Sequence, residues 1–113
     1  MQLRVIENLE RIAESIDHID QFLGKQRNFY TYQRNLMMRR AIAKELDIIG
    51  IAIKKILDIN PDIPITDARR IVDARNYLTH EYHRVDEEQV WAMIVKNLPV
   101  LKIEVTRILE NAD

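Results

Sequence analysis

The spacing of apolar residues is the feature that most constrains the fold of this chain. Apolar side chains recur at steps of three and four residues through most of the sequence, and no segment shows the alternation typical of a half-buried strand. Gly24 follows the first such series as a helix stop signal. The members of that series are Leu3, Ile6, Leu9, Ile12, Ile16, Ile19 and Leu23. This pattern predicts an amphipathic helix that ends near Gly24.

A second and a third helix are predicted on the same grounds. The second begins near Tyr30 and ends before Pro61 and Pro64, because proline cannot continue a helix. Its apolar series is Met37, Ile42, Leu46, Ile49, Ile53, Ile56 and Leu57. The third helix follows this turn, and its apolar stripe is Ala68, Ile71, Val72, Leu78 and Thr79. Arg75 lies in the middle of that stripe.

Two further helices are predicted in the last third of the chain. Asp86 and Gln89 form a capping-box pattern, so a fourth helix should begin within a residue of Asp86. Its apolar face is Val90, Trp91, Ile94 and Val95. Leu98 and Pro99 are expected to break it, with Pro99 as the first residue of a last helix. The buried side of that helix is Leu101, Val105, Ile108 and Leu109. The predicted fold class is all-α, as one domain over residues 1–113.

Composition excludes several classes of function. The 17 basic and 18 acidic side chains nearly cancel, so any site for nucleic acid must be a local patch. Cysteine is absent, which excludes disulfides and thiolate chemistry and fits a cytoplasmic protein. No apolar run approaches the roughly 20 residues of a membrane span, and the N-terminal MQLRVIENLER contains charges. Neither membrane insertion nor secretion is expected.

The stretch RNYLTHEY, residues 75–82, carries the candidate chemistry of the chain. On a regular helix Arg75 and Tyr82 lie within about 20° of each other, whereas Arg75 and His80 diverge by about 140°. One helix therefore cannot direct Arg75 and His80 at the same point. Either the helix loosens near Thr79, or a second copy of the chain completes the site.

The polar residues of this stretch can be interpreted as structural or as functional. Arg75 either pairs with a carboxylate of a neighbouring helix or holds a phosphodiester through its planar fork. His80 either stabilises a helix C-terminus or moves protons near neutral pH. Tyr82 could be a packing residue, and Asn76 could face solvent. Taken together, these residues suggest RNA cleavage, in which the substrate supplies its 2′-hydroxyl as nucleophile and neither a metal nor another cofactor is required.

The sequence resembles a known family at this point. Arg75, Asn76 and His80 match the motif of HEPN domains, and RNYLTHEY matches the Arg-x4-His-x-Tyr form of the HepT-like toxins. The similarity continues through VDEEQVWAMIVKNLPVL, residues 85–101, and covers nearly the whole chain. It implies a four- to five-helix up-and-down bundle that forms a homodimer, with the motif helices meeting in a cleft. It also implies a metal-independent endoribonuclease in which Arg75 holds the scissile phosphate, His80 performs acid–base work and Asn76 orients the groups.

The resemblance further implies a protein partner. HepT-like toxins are paired with an MntA-type minimal nucleotidyltransferase antitoxin, which transfers AMP to the motif tyrosine, here Tyr82. This modification would place bulk and negative charge beside Arg75. A competing hypothesis is a non-catalytic HEPN module that binds a nucleotidyltransferase or a nucleotide. A third is a helical scaffold in which the motif is only structural.

Two other groups of charged residues are candidate binding sites. Four arginines are candidate contacts for RNA phosphates, or else surface charges paired with nearby carboxylates: Arg39, Arg40, Arg69 and Arg70. The stretch ESIDHID offers metal-ligand types at Glu14, Asp17, His18 and Asp20. We interpret that stretch as a solvated helix face, and no metal site is expected.

Overall fold

The computed structural model describes residues 1–25, 27–80 and 86–112, with the backbone alone for residues 76–80. All secondary-structure elements within these residues are helices. The predicted all-α class is therefore confirmed. Among these described residues, no helix is both long and apolar enough to cross a lipid bilayer. The elements are α1 (Leu3–Leu23), α2 (Phe29–Arg34), α3 (Leu36–Ile59), α4 (Ala68–His80), α5 (Glu87–Ala92), a π-helical segment (Met93–Asn97) and α6 (Leu98–Glu110).

Two predicted helix boundaries are confirmed. Gly24 ends α1 with a φ of 71°, and its N–H donates to the carbonyl of Asp20. Asp86 begins α5 as its N-cap, because its carboxylate accepts from the backbone N–H groups of Glu88 and Gln89 at 2.9 and 3.3 Å. Both ends follow from residues whose local bonding replaces the missing intrahelical partners.

The predicted second helix is in fact two helices, α2 and α3, separated at Asn35. The backbone of Asn35 is extended there, with φ −104° and ψ 97°, and its side chain accepts from the N–H of Met38 at 3.0 Å. Asn28 caps α2 in the same way, by accepting from the N–H of Tyr30. The prediction of one helix from Tyr30 was wrong because an asparagine side chain offers the backbone an alternative to continuing the helix. The end of α3 at Ile59, before Pro61, is as predicted.

The predicted break at Leu98 and Pro99 does not occur. The backbone stays helical from α5 into α6, and the N–H of Leu98 donates to the carbonyl of Met93, five residues earlier. In a regular α-helix, the ring of Pro99 would clash with the carbonyl four residues before it. The wider π turn immediately ahead of the proline accommodates it without ending the helix. The last helix, α6, begins at Leu98, so Pro99 is its second residue and not, as predicted from the sequence, its first.

Helix α3 is the centre of the bundle. Helices α1 and α4 both pack against α3, and α6 packs against α1. The core residues from these helices include Leu9, Ile12, Ile16, Ile19, Ile42, Ile49, Ile53, Ile56, Ile71, Val72, Leu101 and Val105. The periodic stripes predicted from the sequence therefore meet in one core.

Three residues of the predicted apolar stripes are instead exposed: Leu3, Met37 and Val95. Leu3 and Met37 lie in the first turns of α1 and α3, where neighbouring helices do not cover them. Val95 follows the fully buried Ile94 by one position, and so points to a different side of the π-helical segment. Spacing alone does not show where the covering helices stop.

The connection between α3 and α4 fixes the position of α4. Ile63 and Ile65 are buried, and Thr66 donates from its N–H and its hydroxyl to the carboxylate of Glu104 on α6, at 3.0 and 2.8 Å. Asp67 then adopts a positive φ of 57°, and its carbonyl accepts from the N–H of Ile71 in α4. These contacts hold the beginning of α4 against the bundle.

Candidate active site

Arg75 lies on the side of α4 that faces α3. Its Nε donates to Oδ1 of Asp47 on α3 at 2.8 Å, and the two side chains are 28% and 25% exposed. This ion pair explains how an arginine can occupy a position in an apolar stripe, because its charge is compensated where the helices meet. The interpretation of Arg75 as paired with a neighbouring carboxylate is confirmed. The pairing also fixes the plane of the guanidinium, which a phosphate-binding role requires.

Gly50 makes the close approach of Arg75 possible. A Cβ atom added at Gly50 would lie 2.4 Å from Cβ and 2.7 Å from Cγ of Arg75. Any other residue at this position would push α4 away from α3, because the colliding atoms are the rigid beginning of the arginine side chain. Asp47 and Gly50 are three positions apart, and so lie on the same face of α3. On that face, Gly50 packs against the aliphatic part of the Arg75 side chain and Asp47 accepts a hydrogen bond from its guanidinium.

A pocket of about 220 Å³ opens beside Arg75, between α3 and α4. Its lining contains three cationic side chains and one carboxylate. The lining residues are Gly50, Ile51, Lys54, Lys55, Asp58, Val72 and Arg75. The motif arginine therefore lies at the edge of a small basic concavity.

The rest of the motif is described only in part. Helix α4 is α-helical through His80, so positions 75 and 80 lie about 140° apart around its axis. This regularity removes loosening near Thr79 as a way to bring them together. The side chains of Asn76 and His80, and all of Tyr82, lie outside the described residues.

The four candidate RNA-binding arginines occupy different environments. Arg39 is half-buried, with Nη1 3.6 Å from Oε1 of Glu87. Arg40, Arg69 and Arg70 are exposed, and Arg70 lines a second pocket of about 540 Å³ between α4 and the π-helical segment. The contact of these arginines with RNA stays a prediction.

The surroundings of Arg39 are those of a packing cluster. The Tyr32 hydroxyl donates to Oε2 of Glu87, and burial together with this bond raises the pKa of Tyr32 above its usual range. Trp91 packs against Tyr32 with the two rings tilted by 37° and their centroids 5.3 Å apart. The Nε of Arg39 is buried, with no hydrogen-bond partner among the residues that the structure describes. Arg39 thus helps to join α2, α3 and α5.

The stretch ESIDHID is not uniformly solvated. Glu14 and Asp17 are exposed, but Nδ1 of His18 lies 3.0 Å from Oε1 of Glu45 on α3, and Glu45 is buried. The hydrogen bond to Glu45 raises the pKa of His18. His18 thus makes a contact with α3 although its side chain is 40% exposed. In the described portion of the chain, no three His, Cys, Asp or Glu side chains are grouped so as to hold a metal ion.

Four residues of this site were not predicted from the sequence: Asp47, Gly50, Lys54 and Lys55. One signal was present, because an isolated glycine inside a helical pattern often marks a close packing contact. The choice of Asp47 among 18 acidic residues carries no local signal. It depends on how α3 and α4 pack.

Comparison with known proteins finds a matching family model and several similar sequences. The family model described as "Ribonuclease HepT-like" matches residues 6–108. The chain is 29% identical over 103 residues to "Putative RNase MJ1216" from Methanocaldococcus jannaschii, covering 90% of this chain and 84% of that protein. It is 32% identical over 98 residues to "Probable ribonuclease HepT" from Thermococcus cleftensis, covering 83% and 86%. No solved structure matches at a comparable level of significance. The chain therefore belongs to the ribonuclease HepT-like family.

Proposed function

We propose that this chain is a metal-independent endoribonuclease toxin, in which Arg75 holds the scissile phosphate, His80 transfers protons and Asn76 orients the reacting groups. One observation carries the proposal. In a chain that belongs to a ribonuclease-like family, Arg75 packs against the backbone of Gly50 and donates to Asp47, rather than extending into solvent. An arginine held in this way is preorganised to bind a phosphate.

The chemistry requires no group beyond the chain and its substrate. The 2′-oxygen of the RNA forms a bond to phosphorus, and the bond from phosphorus to the 5′-oxygen breaks. One proton leaves the 2′-hydroxyl and one is delivered to the 5′-oxygen, so the products are a 2′,3′-cyclic phosphate and a 5′-hydroxyl. An imidazole with a pKa of about 6.5 can carry either proton, and a guanidinium stabilises the added charge on the phosphate oxygens.

A homodimer would complete the site. Positions 75 and 80 lie about 140° apart on a regular α4, so one helix does not direct both at the same phosphate. Two α4 helices packed against each other would bring Arg75 of one protomer towards His80 of its partner. The proposed cleft therefore contains two copies of the motif.

Regulation by a partner fits the same site. An MntA-type minimal nucleotidyltransferase would transfer AMP to Tyr82 and so silence the toxin in the cytoplasm. The added phosphate carries negative charge into the neighbourhood where Arg75 binds the substrate phosphate, and the nucleoside adds bulk. Both effects oppose RNA binding.

Replacement of the motif histidine tests the catalytic claim. His80→Ala should abolish RNA cleavage and growth inhibition while the folded dimer persists in sedimentation and circular dichroism. His18→Ala is the matched control, and it should keep its cleavage activity because His18 pairs with Glu45 in the α1–α3 interface. Unchanged cleavage by folded His80→Ala protein would overturn the assignment. A wild-type dimer that binds the nucleotidyltransferase but cuts no RNA would favour the non-catalytic module.

Mass spectrometry tests the regulatory claim. With the purified partner and ATP present, the chain should gain the mass of one AMP on Tyr82 and lose cleavage activity in proportion. Tyr82→Phe should stay unmodified and active in the presence of the partner. Modification of Tyr77 instead would refute the choice of residue.

A further inference from the structure

We infer that the pocket between α3 and α4 is a subsite for an RNA phosphate adjacent to the scissile one, and that Lys54 and Lys55 hold it. This inference rests on the proposed function, since it names how the substrate strand continues beyond Arg75. The motif of Arg75, Asn76, His80 and Tyr82 does not include either lysine. The pocket assigns them a role in binding the RNA backbone.

Binding of an RNA strand at Arg75 needs further positive charge nearby. Asp47 compensates the charge of Arg75 at 2.8 Å, and the whole chain has a formal net charge of −1. Neither the arginine alone nor the overall field can therefore supply strong attraction for a polyanion. The pocket lining adds two lysines against the single carboxylate of Asp58. This local excess of positive charge lies where the strand must pass if Arg75 contacts it.

The geometry of α3 aligns Lys54 with Arg75. Gly50, which carries the stem of Arg75, and Lys54 are four positions apart, and so lie on one face, about 6 Å from each other along the helix axis. Lys55 borders the same pocket from the next position. A strand bound at Arg75 can thus extend along this face of α3 and meet both ammonium groups.

The two lysines are available for such contacts. Lys54 pairs with Asp58 at 3.3 Å, but both side chains are exposed and the pair is screened by solvent, so a phosphate can compete for the ammonium. Lys55 has no ion-pair partner within the described parts of the chain. The ligand therefore does not have to break a buried interaction to bind.

The size of the pocket indicates which part of the substrate it takes. A volume of about 220 Å³ corresponds to about seven water molecules in the liquid, and is smaller than a typical small-molecule site. It fits a phosphate with part of its ribose. Ile51 and Val72 supply an apolar wall for the sugar. Contacts of this kind position a strand without reading its sequence.

Salt-dependent RNA binding tests the subsite. The ligand is a labelled mixed-sequence single-stranded RNA with 2′-O-methyl groups, which lacks the nucleophile and so stays intact during the measurement. The protein is the full chain as wild type, as the double variant Lys54→Ala/Lys55→Ala, as Lys55→Arg, and as Lys102→Ala. Lys102 is the matched control, because it is an exposed lysine that pairs with Asp20 away from the pocket.

The expected result is a change in the salt dependence of affinity. For the double variant, the plot of log affinity against log salt should become shallower by about 0.7 for each phosphate that is no longer neutralised by a lysine. The weakening should be the same for RNAs of different sequence. Lys55→Arg should keep the wild-type slope, since the charge remains, and Lys102→Ala should keep it because this lysine lies elsewhere.

The outcomes separate this inference from the proposed function. A double variant with the slope of Lys102→Ala, alongside a wild type that binds and cuts RNA, overturns the subsite alone. A wild type that does not bind RNA overturns both. A wild type that binds but does not cut unmodified RNA refutes the nuclease proposal, and a shallower slope of the double variant still supports the subsite.

Discussion

Two of the ion pairs that helix α3 makes with neighbouring helices differ in what lies around them. Glu45 pairs with His18 of α1, and Asp47 pairs with Arg75 of α4. The two carboxylates are two positions apart, and so point about 200° from each other around α3. Each pair therefore belongs to a different face of the same helix.

The surroundings of the two ion pairs differ in exposure and in neighbouring groups. On the α1 side the carboxylate of Glu45 is only 9% exposed, and the charge of its partner, His18, depends on pH. On the α4 side the pair is half-buried, its partner is always charged, and a glycine and a basic pocket lie beside it. The first pair joins two helices, whereas the second fixes the side chain that we propose binds the RNA phosphate.

Of the substitutions at and beside the second ion pair, Arg75→Lys should have the largest effect on RNA cleavage. Lysine keeps the positive charge but lacks the planar fork and the Nε that Asp47 anchors. The loss of a positioned donor to the reacting phosphate should lower the kcat for RNA cleavage by about 100-fold or more. Single-turnover cleavage kinetics measure this effect, with circular dichroism to check the fold. A variant with the wild-type kcat would show that a point charge is sufficient at this position.

Gly50→Ala should lower both stability and cleavage. Overpacking against Arg75 costs about 1–3 kcal/mol, and the better helix propensity of alanine returns about 1 kcal/mol of that. Displacement of Arg75 by about 1 Å can reduce cleavage by up to about 100-fold. Urea unfolding and cleavage rates measure the two effects.

The other glycine of the chain provides the control for this variant. Gly24→Ala is strained because φ is 71°, but a Cβ there meets nothing within 4 Å. It should cost about 1–2 kcal/mol and leave cleavage unchanged. Full activity of Gly50→Ala would contradict the role of this close approach.

Asp47→Asn should separate the anchor from the fold. The amide oxygen can still accept from Nε of Arg75, but the charge that holds the guanidinium is lost. For a half-exposed pair we expect a stability change of about 1 kcal/mol or less. The kcat should fall by about tenfold, with little change in KM, because only the position of Arg75 is loosened. A change confined to KM would instead indicate that Asp47 affects RNA binding.

The smallest expected effect is the pH dependence of the His18–Glu45 pair. The hydrogen bond to Glu45, with smaller contributions from Glu14 and Asp17, raises the pKa of His18 in the folded state. The pair therefore stabilises the fold fully below the unfolded pKa of about 6.5, and this contribution is lost as pH rises through the raised value. The stability gap between wild type and His18→Ala should be larger at pH ~5.5 than at pH ~8.5. A gap that widens with increasing pH would contradict this assignment.

Much of the fold could be predicted because helix spacing and capping are local properties. The bounds of α1 follow from an unbroken stripe and Gly24, and the start of α5 follows from Asp86. The break at Asn35 was missed because the predicted helix began near Tyr30, ahead of the first member of its apolar series at Met37, although a capping asparagine lies between them. The continuity through Pro99 was missed because a π turn has no clear sequence signal.

Only those features of the site that depend on neighbouring residues in the sequence could be predicted. Arg75 was singled out because it interrupts an apolar stripe, and a carboxylate partner on a neighbouring helix was one of the two interpretations. The sequence could not identify that partner as Asp47, which is 28 residues away, nor show that the arginine stem crosses Gly50. These contacts depend on the depth at which α3 and α4 pack.

Cleavage of RNA in the presence of excess EDTA, with analysis of the product ends, tests the central claim most directly. The account predicts that the purified wild-type protein cuts single-stranded RNA at the same rate with and without the chelator, and leaves 2′,3′-cyclic phosphate and 5′-hydroxyl ends. Cleavage that stops on chelation and returns with added Mg²⁺, or products with 5′-phosphate ends, would contradict a mechanism in which Arg75 and His80 act on the phosphate by themselves.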